Sequence, residues 1–459
     1  MKRDGGDIAI TGCRGYFRRW VVPGMRRGGL FLTAAVLAAR TGRAESIDLS
    51  LADAVARALS EGTAARIATE RVEGARALAD ISRAALLPTL QTSLAGSDQI
   101  FNLKTFGITP PGASSLVGPF TVLDGRVSAA TKLIDVAAIR RYQAARQSMK
   151  VSESERRATE NNVAAAVATV YVAMQRAQAK VEQAEANVQL FEKLRDLAKD
   201  QEQAGVAIKL DTMRADVQLT RERQALLVAR NDRDASRLAL LHAIGSDLGA
   251  EVRLTDALVE RTNGFASVED ALSLARVERP ELRASEERLQ AATLRLAAVR
   301  AERLPTIGAE AFAAENGNGP SDLDTTYTAG GTLTLPIFTG GRIDGEISAA
   351  RAEARSLELE KLELERQINE DVRRAMLALQ SAKSRIGLAQ ENADLASAQL
   401  DVTRDRFANG LSTSIEVDNA QTSLTAAKNA HIDALADEAQ ADIDLRKATG
   451  RIRELVPGG

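Results

Sequence analysis

The sequence predicts a mainly α-helical, internally duplicated chain in which each half inserts two membrane-length β-strands between its helices. Three observations carry this reading. The two halves align with each other in long gap-free registers. Each half holds a long proline-free stretch whose apolar residues fall alternately four and three apart. Between the helical stretches lie segments that alternate apolar and polar residue by residue.

Composition narrows the function. The chain has 459 residues and is 45% apolar, enough for a sizeable core, yet it is only 3% aromatic. That scarcity argues against a sandwich or an enzyme barrel and suits alanine-rich helix packing. Residues 1–44 hold nine of the 60 basic side chains and two of the 62 acidic ones, so the remainder carries 51 and 60, a net of −9. Such a surface lacks the basic footprint that nucleic acid requires. One cysteine (Cys13) and two histidines (His242 and His431, both in alanine-rich helical surroundings) offer no metal constellation and no Cys–His pair. Nor is there a phosphate loop or a nucleophile elbow, so no catalytic residue and no cofactor is expected.

The elements follow in order. From Met25 come two arginines, a 12-residue apolar run over 28–39, and small residues before a cut after Ala44. This reads as a signal peptide, because a spanning helix needs about 20 apolar residues. Translation from Met1 or from Met25 is compatible with the sequence, and Cys13 lies in a weak lipidation-like box without an apolar run before it. The first repeat is placed at 45–248, a linker at 249–266, the second repeat at 267–450, and a tail at 451–459.

The repeat itself is concrete. Ser50-Leu-Ala-Asp-Ala54 returns as Ser267-Val-Glu-Asp-Ala271, and Arg83-Ala-Ala-Leu-Leu-Pro-Thr-Leu90 as Arg300-Ala-Glu-Arg-Leu-Pro-Thr-Ile307, both at an offset of 217. Further on, Arg146, Gly205 and Gly245 match Arg351, Gly410 and Gly450 at an offset of 205. The first copy therefore has 12 extra residues between Leu90 and Arg146.

Within each copy a short helix (51–59; 268–277) leads to a longer one ending at Leu87 or Leu304, where Pro88 or Pro305 halts it. Strands are expected at about 89–101, 120–134, 306–315 and 325–338. In the last, Tyr327, Ala329, Leu333, Leu335 and Ile337 alternate with Thr326, Thr328, Thr332, Thr334 and Pro336. Their length suits a tilted strand facing lipid on one side and water on the other. The linkers 102–118 and 316–324, rich in Gly, Pro, Ser and Asn, read as exposed hairpin loops. The long helices carry a 3.5-residue seam: Val163, Val167, Val170, Met174, Ala177, Val181, Ala184, Val188 and Phe191 in the first copy. Ile368, Val372, Ala375, Leu379, Ala382, Ile386, Ala389, Ala393 and Ala396 hold the same register in the second. A helix over 341–408 would be about 100 Å long, too long for a globular domain to bury.

With these marks the sequence resembles the TolC family of outer-membrane efflux and secretion channels over about residues 46–450. The resemblance rests on the duplicated helix–Leu-Pro-Thr–strand junctions and on Arg406-Phe-Ala-Asn-Gly-Leu-Ser-Thr-Ser-Ile-Glu-Val-Asp-Asn-Ala-Gln-Thr-Ser-Leu424. The ending Leu445-Arg-Lys-Ala-Thr-Gly450 adds to it. It implies a homotrimer in which each chain gives four strands to a twelve-stranded barrel and long helices to a periplasmic tunnel. It also implies an outer-membrane location in a Gram-negative bacterium, contact with outer-membrane lipid, and a periplasmic adaptor (membrane fusion protein) with an inner-membrane pump of RND or ABC type as partners. The function implied is a passive exit duct for efflux or type I secretion. A periplasmic coiled-coil scaffold or adaptor would also explain the heptads and signal peptide, but not the four amphipathic strands.

Candidate site residues follow from the same comparison. Glu416 matches a gate carboxylate of the family, its partner one turn on is Asn419, and Phe407 and Ser412 stand where the prototype has a Tyr–Arg pair. Asp418 is a neighbouring gate candidate and Asp211 is the first-copy equivalent of Glu416. Thr413-Ser-Ile-Glu416 reads equally as a capping box, with the Thr hydroxyl on a free N–H and Glu reaching back. Gly205 and Gly410 are expected to end the outgoing helices in the left-handed conformation. The resemblance makes their turns the tip that meets an adaptor, with Val206, Ala207, Ile208, Leu411, Ser412 and Thr413 as contact candidates.

Overall fold

The computed structural model describes residues 46–108, 111–112, 114–260, 267–409 and 411–455. The expected signal segment, Cys13 and Gly410 lie outside the described residues. The first half runs β1 (Ser46–Leu49), α1 (Leu51–Glu61), α2 (Thr63–Ala84), β2 (Thr89–Asn102), β3 (Leu116–Ile134), α3 (Val136–Gln203), α4 (Lys209–Ile244) and β4 (Glu251–Leu254). The second repeats the theme as α5 (Val268–Glu278), α6 (Pro280–Ala301), β5 (Thr306–Gly319), β6 (Asp322–Thr334), α7 (Arg342–Ala408) and α8 (Ser414–Thr449).

Local chemistry places the boundaries, often twice over. Ser50 Oγ accepts from the Asp53 N–H at 3.1 Å, and Ser267 Oγ accepts from the Asp270 N–H at 3.1 Å, so the repeated Ser-x-x-Asp motif is a pair of N-caps. Gly245 and Gly450 close α4 and α8 at φ 74° and 82°, the left-handed region that glycine enters without penalty. At Gly450 a Cβ would also meet the Glu278 carbonyl carbon at 2.9 Å, so this glycine is fixed by space as well as torsion. Helices α2 and α6 stop at Ala84 and Ala301, one turn before the expected ends at Leu87 and Leu304. Leu87 N–H then bonds Ala84 O at 3.1 Å and Leu304 N–H bonds Ala301 O at 3.0 Å, a tighter turn that leads into each proline.

The long helices make a wall. Helix α3 has 68 residues and α7 has 67, each about 100 Å at 1.5 Å per residue. Helices α2, α3, α6 and α7 pack side by side in that order, while α4 pairs with α3 and α8 with α7. Every seam residue is buried or half-buried, from Val163 to Phe191 and from Ile368 to Ala396. The polar stitch beside the wall has no sequence signal. Tyr171 Oη donates to Leu49 O and Asp256 Oδ2 (3.0 and 3.1 Å), and Asp256 Oδ2 accepts the Leu51 N–H at 2.7 Å. It holds β1 beside β4 in a short parallel pair, of which β4 lies inside the segment expected to be a linker.

The four longer strands form one antiparallel sheet in the order β2-β3-β5-β6, so its two central strands come from different halves. Opposed residues share a face. One row across the sheet is Leu90, Ala129, Ala311 and Ala329, and another is Thr92, Val127, Ala313 and Tyr327. The opposite face carries Gln91, Ser128, Phe312 and Thr328, then Ser93, Arg126, Ala314 and Thr326. The strands run 13–19 residues, more than the 9–11 or so needed to cross a bilayer. Two expectations are corrected. Strand β6 ends at Thr334, not 338, because Pro336 has no N–H to give a ladder. The loop expected at 316–324 shrinks to residues 320–321, since Asn316 pairs with Asp324 and Gly319 with Asp322.

Candidate functional site

Two helical hairpins, α3–α4 and α7–α8, end in turns built alike. Gly205 at φ 74° lets its own N–H bond Glu202 O and the Val206 N–H bond Gln201 O, both at 3.0 Å. In the second turn Leu411 N–H bonds Arg406 O at 2.8 Å, the same five-residue reach. Between the hairpins lies a cleft of about 620 Å³, walled by apolar side chains such as Leu194, Ala198 and Phe407 with Asp211, Arg214 and Asp418 among them.

The cleft sorts the sequence candidates. Val206, Ala207, Ser412 and Thr413 line it, whereas Ile208 and Leu411 lie outside it and are 63% and 70% exposed. Asp211 and Asp418 line it too; Glu416 and Asn419 do not. Asp211 pairs with Arg214 at 3.5 Å. Partial burial pushes the Asp418 carboxyl above its usual value, and the nearby Arg221 and Arg214 only partly offset that. The capping box is corrected. Thr413 is the N-cap, but its side chain makes no capping bond, and Glu416 instead accepts from Ser412 Oγ at 2.6 Å. A charge-assisted bond to a hydroxyl one turn back satisfies the carboxylate in place of the Thr413 backbone.

Further along the hairpins lies a clamp that sequence reasoning missed. Asp433 of α8 accepts from Arg176 Nε at 2.6 Å and Lys180 Nζ at 2.8 Å, both on α3. Burial alone would raise the Asp433 carboxyl, but the hydrogen bonds and charges of these two cations hold it below the usual range. On the same pair of helices Asn187 Nδ2 donates to Thr425 Oγ1 at 3.2 Å. Arg176 and Lys180 sit four apart on one helix face, a visible signal, but their shared partner lies in the other half of the chain. Among the described residues no group of His, Cys, Asp and Glu is placed to hold a metal ion, and no helix is long and apolar enough to cross a membrane.

A wall of helices about 100 Å long, joined to membrane-length strands with one apolar and one polar face, defines an outer-membrane channel subunit. The chain belongs to the outer membrane efflux protein family, whose model matches residues 54–246 and 271–451, one segment in each half. It is 26% identical over 416 residues to the probable efflux pump outer membrane protein SepC of Pseudomonas putida, covering 88% of this chain and 83% of that one. It is 26% identical over 405 residues to the pyoverdine export outer membrane protein OpmQ of Pseudomonas aeruginosa, covering 86% and 83%. In fold it resembles a membrane protein from Pseudomonas aeruginosa (TM-score 0.78, 23% identity, 89% of this chain and 91% of that one). The Campylobacter jejuni CmeC outer membrane channel is similar too (TM-score 0.76, 18% identity, 87% and 85%). The protein is thus an outer-membrane efflux component and resides in that membrane.

Proposed function

We propose that three copies of the chain close into one passive duct, a twelve-stranded barrel continuous with a helical tunnel. The observation that carries this is the sheet itself: β2 and β6 are edge strands, and four strands cannot close around a lumen. Pairing β2 of one copy with β6 of the next removes every edge. Exposed apolar side chains along α4 and α7, including Leu227, Val228, Leu377, Leu388 and Leu395, support the same assembly, since neighbouring copies would cover them. In this reading residues 1–44 direct export, 45–248 and 267–450 are the two repeats, and no step of catalysis is involved.

The hairpin tips face a periplasmic adaptor, which links the duct to an inner-membrane pump of RND or ABC type. Val206, Ile208 and Leu411 are 76%, 63% and 70% exposed at the turns, and with Gly205, Ala207, Gly410, Ser412 and Thr413 they form the docking ring. Glu416 and Asn419 line the axial aperture, and Asp211 and Asp418 join the two hairpins behind it. Relatives named for toluene efflux and for pyoverdine export favour small molecules as cargo. The test is the oligomer: protein extracted from outer membranes in detergent should migrate as a heat-modifiable trimer. A stable detergent-soluble monomer without channel activity would refute the duct.

A further inference from the structure

We propose that the barrel interior carries a cargo-binding site, centred on the Arg126 guanidinium and the Phe312 ring, for organic anions with a flat aromatic part. The proposal rests on the duct reading, which turns the polar face of the sheet toward the lumen. Arg126 stands on β3 and Phe312 on β5, the two central strands, so one chain supplies the whole unit. Both lie on the polar face, in adjacent rows whose other members are Ser93, Ala314, Thr326, Gln91, Ser128 and Thr328.

The geometry is that of a held guanidinium with a free side. The Arg126 Cζ lies 4.5 Å from the centroid of the Phe312 ring, and Nη2 donates to Asp124 Oδ2 at 2.9 Å. Ala314, directly opposite Arg126 in the ladder, is only 2% exposed. One face of the guanidinium is thus occupied by an aromatic ring and one nitrogen by a carboxylate. Among the described residues Nε and Nη1 have no partner, and the side chain remains 40% exposed. A planar cation fixed in this way offers N–H donors to an anionic group and an open face to a second aromatic plane. A phenylalanine in an otherwise polar, water-facing row has no lipid to meet; stacking with Arg126 and with cargo accounts for it. Asp124 restrains the guanidinium and keeps the attraction weak enough for cargo to leave, as conduction requires.

Full-length channels in planar bilayers test this, with 1-naphthalenesulfonate or methanesulfonate added on the barrel side and block of the potassium current recorded. The wild type should be blocked by naphthalenesulfonate at concentrations at least tenfold below those of methanesulfonate. Arg126→Gln should raise the blocking concentration of naphthalenesulfonate about tenfold. Arg126→Lys should keep anion block while narrowing the preference for the aromatic anion, and Phe312→Leu should narrow it too. Equal block of wild type, Arg126→Gln and Phe312→Leu channels overturns the site and leaves Arg126 as a strand-pinning ion pair. A wild-type preparation that forms no channel overturns the duct reading instead, and this site with it.

Discussion

Asp418 and Asp433 sit on one helix, α8, with opposite responses to their surroundings. The Asp418 carboxyl is raised, so the native chain holds that proton at a pH where the unfolded chain, with a value near 3.8, has lost it. Its contribution is therefore present at pH below that value and is lost as pH rises through the raised one. Asp418→Asn should make the tip more stable than wild type at pH 7 and no different near pH 3, read by amide exchange in the first turns of α8. The Asp433 carboxyl is lowered, so the sign reverses. Its contribution is present above the ordinary carboxylate value and disappears as pH falls through the lowered one. Asp433→Asn should weaken the α3–α8 contact at neutral pH, and acid should bring the wild type down to the mutant. At the turn itself Gly205 is a torsional requirement, because a Cβ there would meet nothing within 4 Å. Gly205→Val should cost about 1–2 kcal/mol through its positive φ and reduce adaptor cross-linking, with barrel assembly retained.

At the scale of elements, the seam decides how closely the helices run. Alanine fills many of its positions, and Ala382 and Leu379 are 1% and 5% exposed. Such a seam tolerates loss and gain of volume poorly. Leu379→Ala should lower stability by about 2–5 kcal/mol, seen as an earlier loss of helical signal on heating. The strands answer to a different rule. In the closed duct their apolar rows would face lipid, so a charge at Val127 should block membrane insertion, whereas the same charge at Ser128, the next position and on the opposite face, should be tolerated.

For the whole molecule, the hairpin between β2 and β3 and the one between β5 and β6 leave the sheet at its end opposite the helical wall. In a duct whose helices are periplasmic, both hairpins face the exterior. A tag at Ser114, which is exposed, should be labelled on intact cells. Labelling only after lysis would reverse the orientation. Closure between copies should show as disulfide cross-links between cysteines placed on the outer edges of β2 and β6, forming ladders up to three chains and no further.

Much of this is written in the sequence because it is periodic. Alternation by two announces the strands and their lipid face, and the four-three spacing announces two helices near 100 Å, or about 67 residues at 1.5 Å each. The Ser-x-x-Asp caps and Leu-Pro-Thr junctions announce that the chain repeats itself. Each is a property of residues within a few positions of one another, set by backbone geometry and hydrophobic periodicity. Only the tertiary structure decided which face meets which. It placed β3 of the first half beside β5 of the second, brought β4 to β1, turned Asp418 into the cleft and left Glu416 outside it, closed Asp433 on Arg176 and Lys180, and laid Arg126 over Phe312. A local pattern specifies that a face must be covered or paired, but the partner is chosen by packing among segments far apart in the chain, and no spacing within one helix or strand encodes that choice.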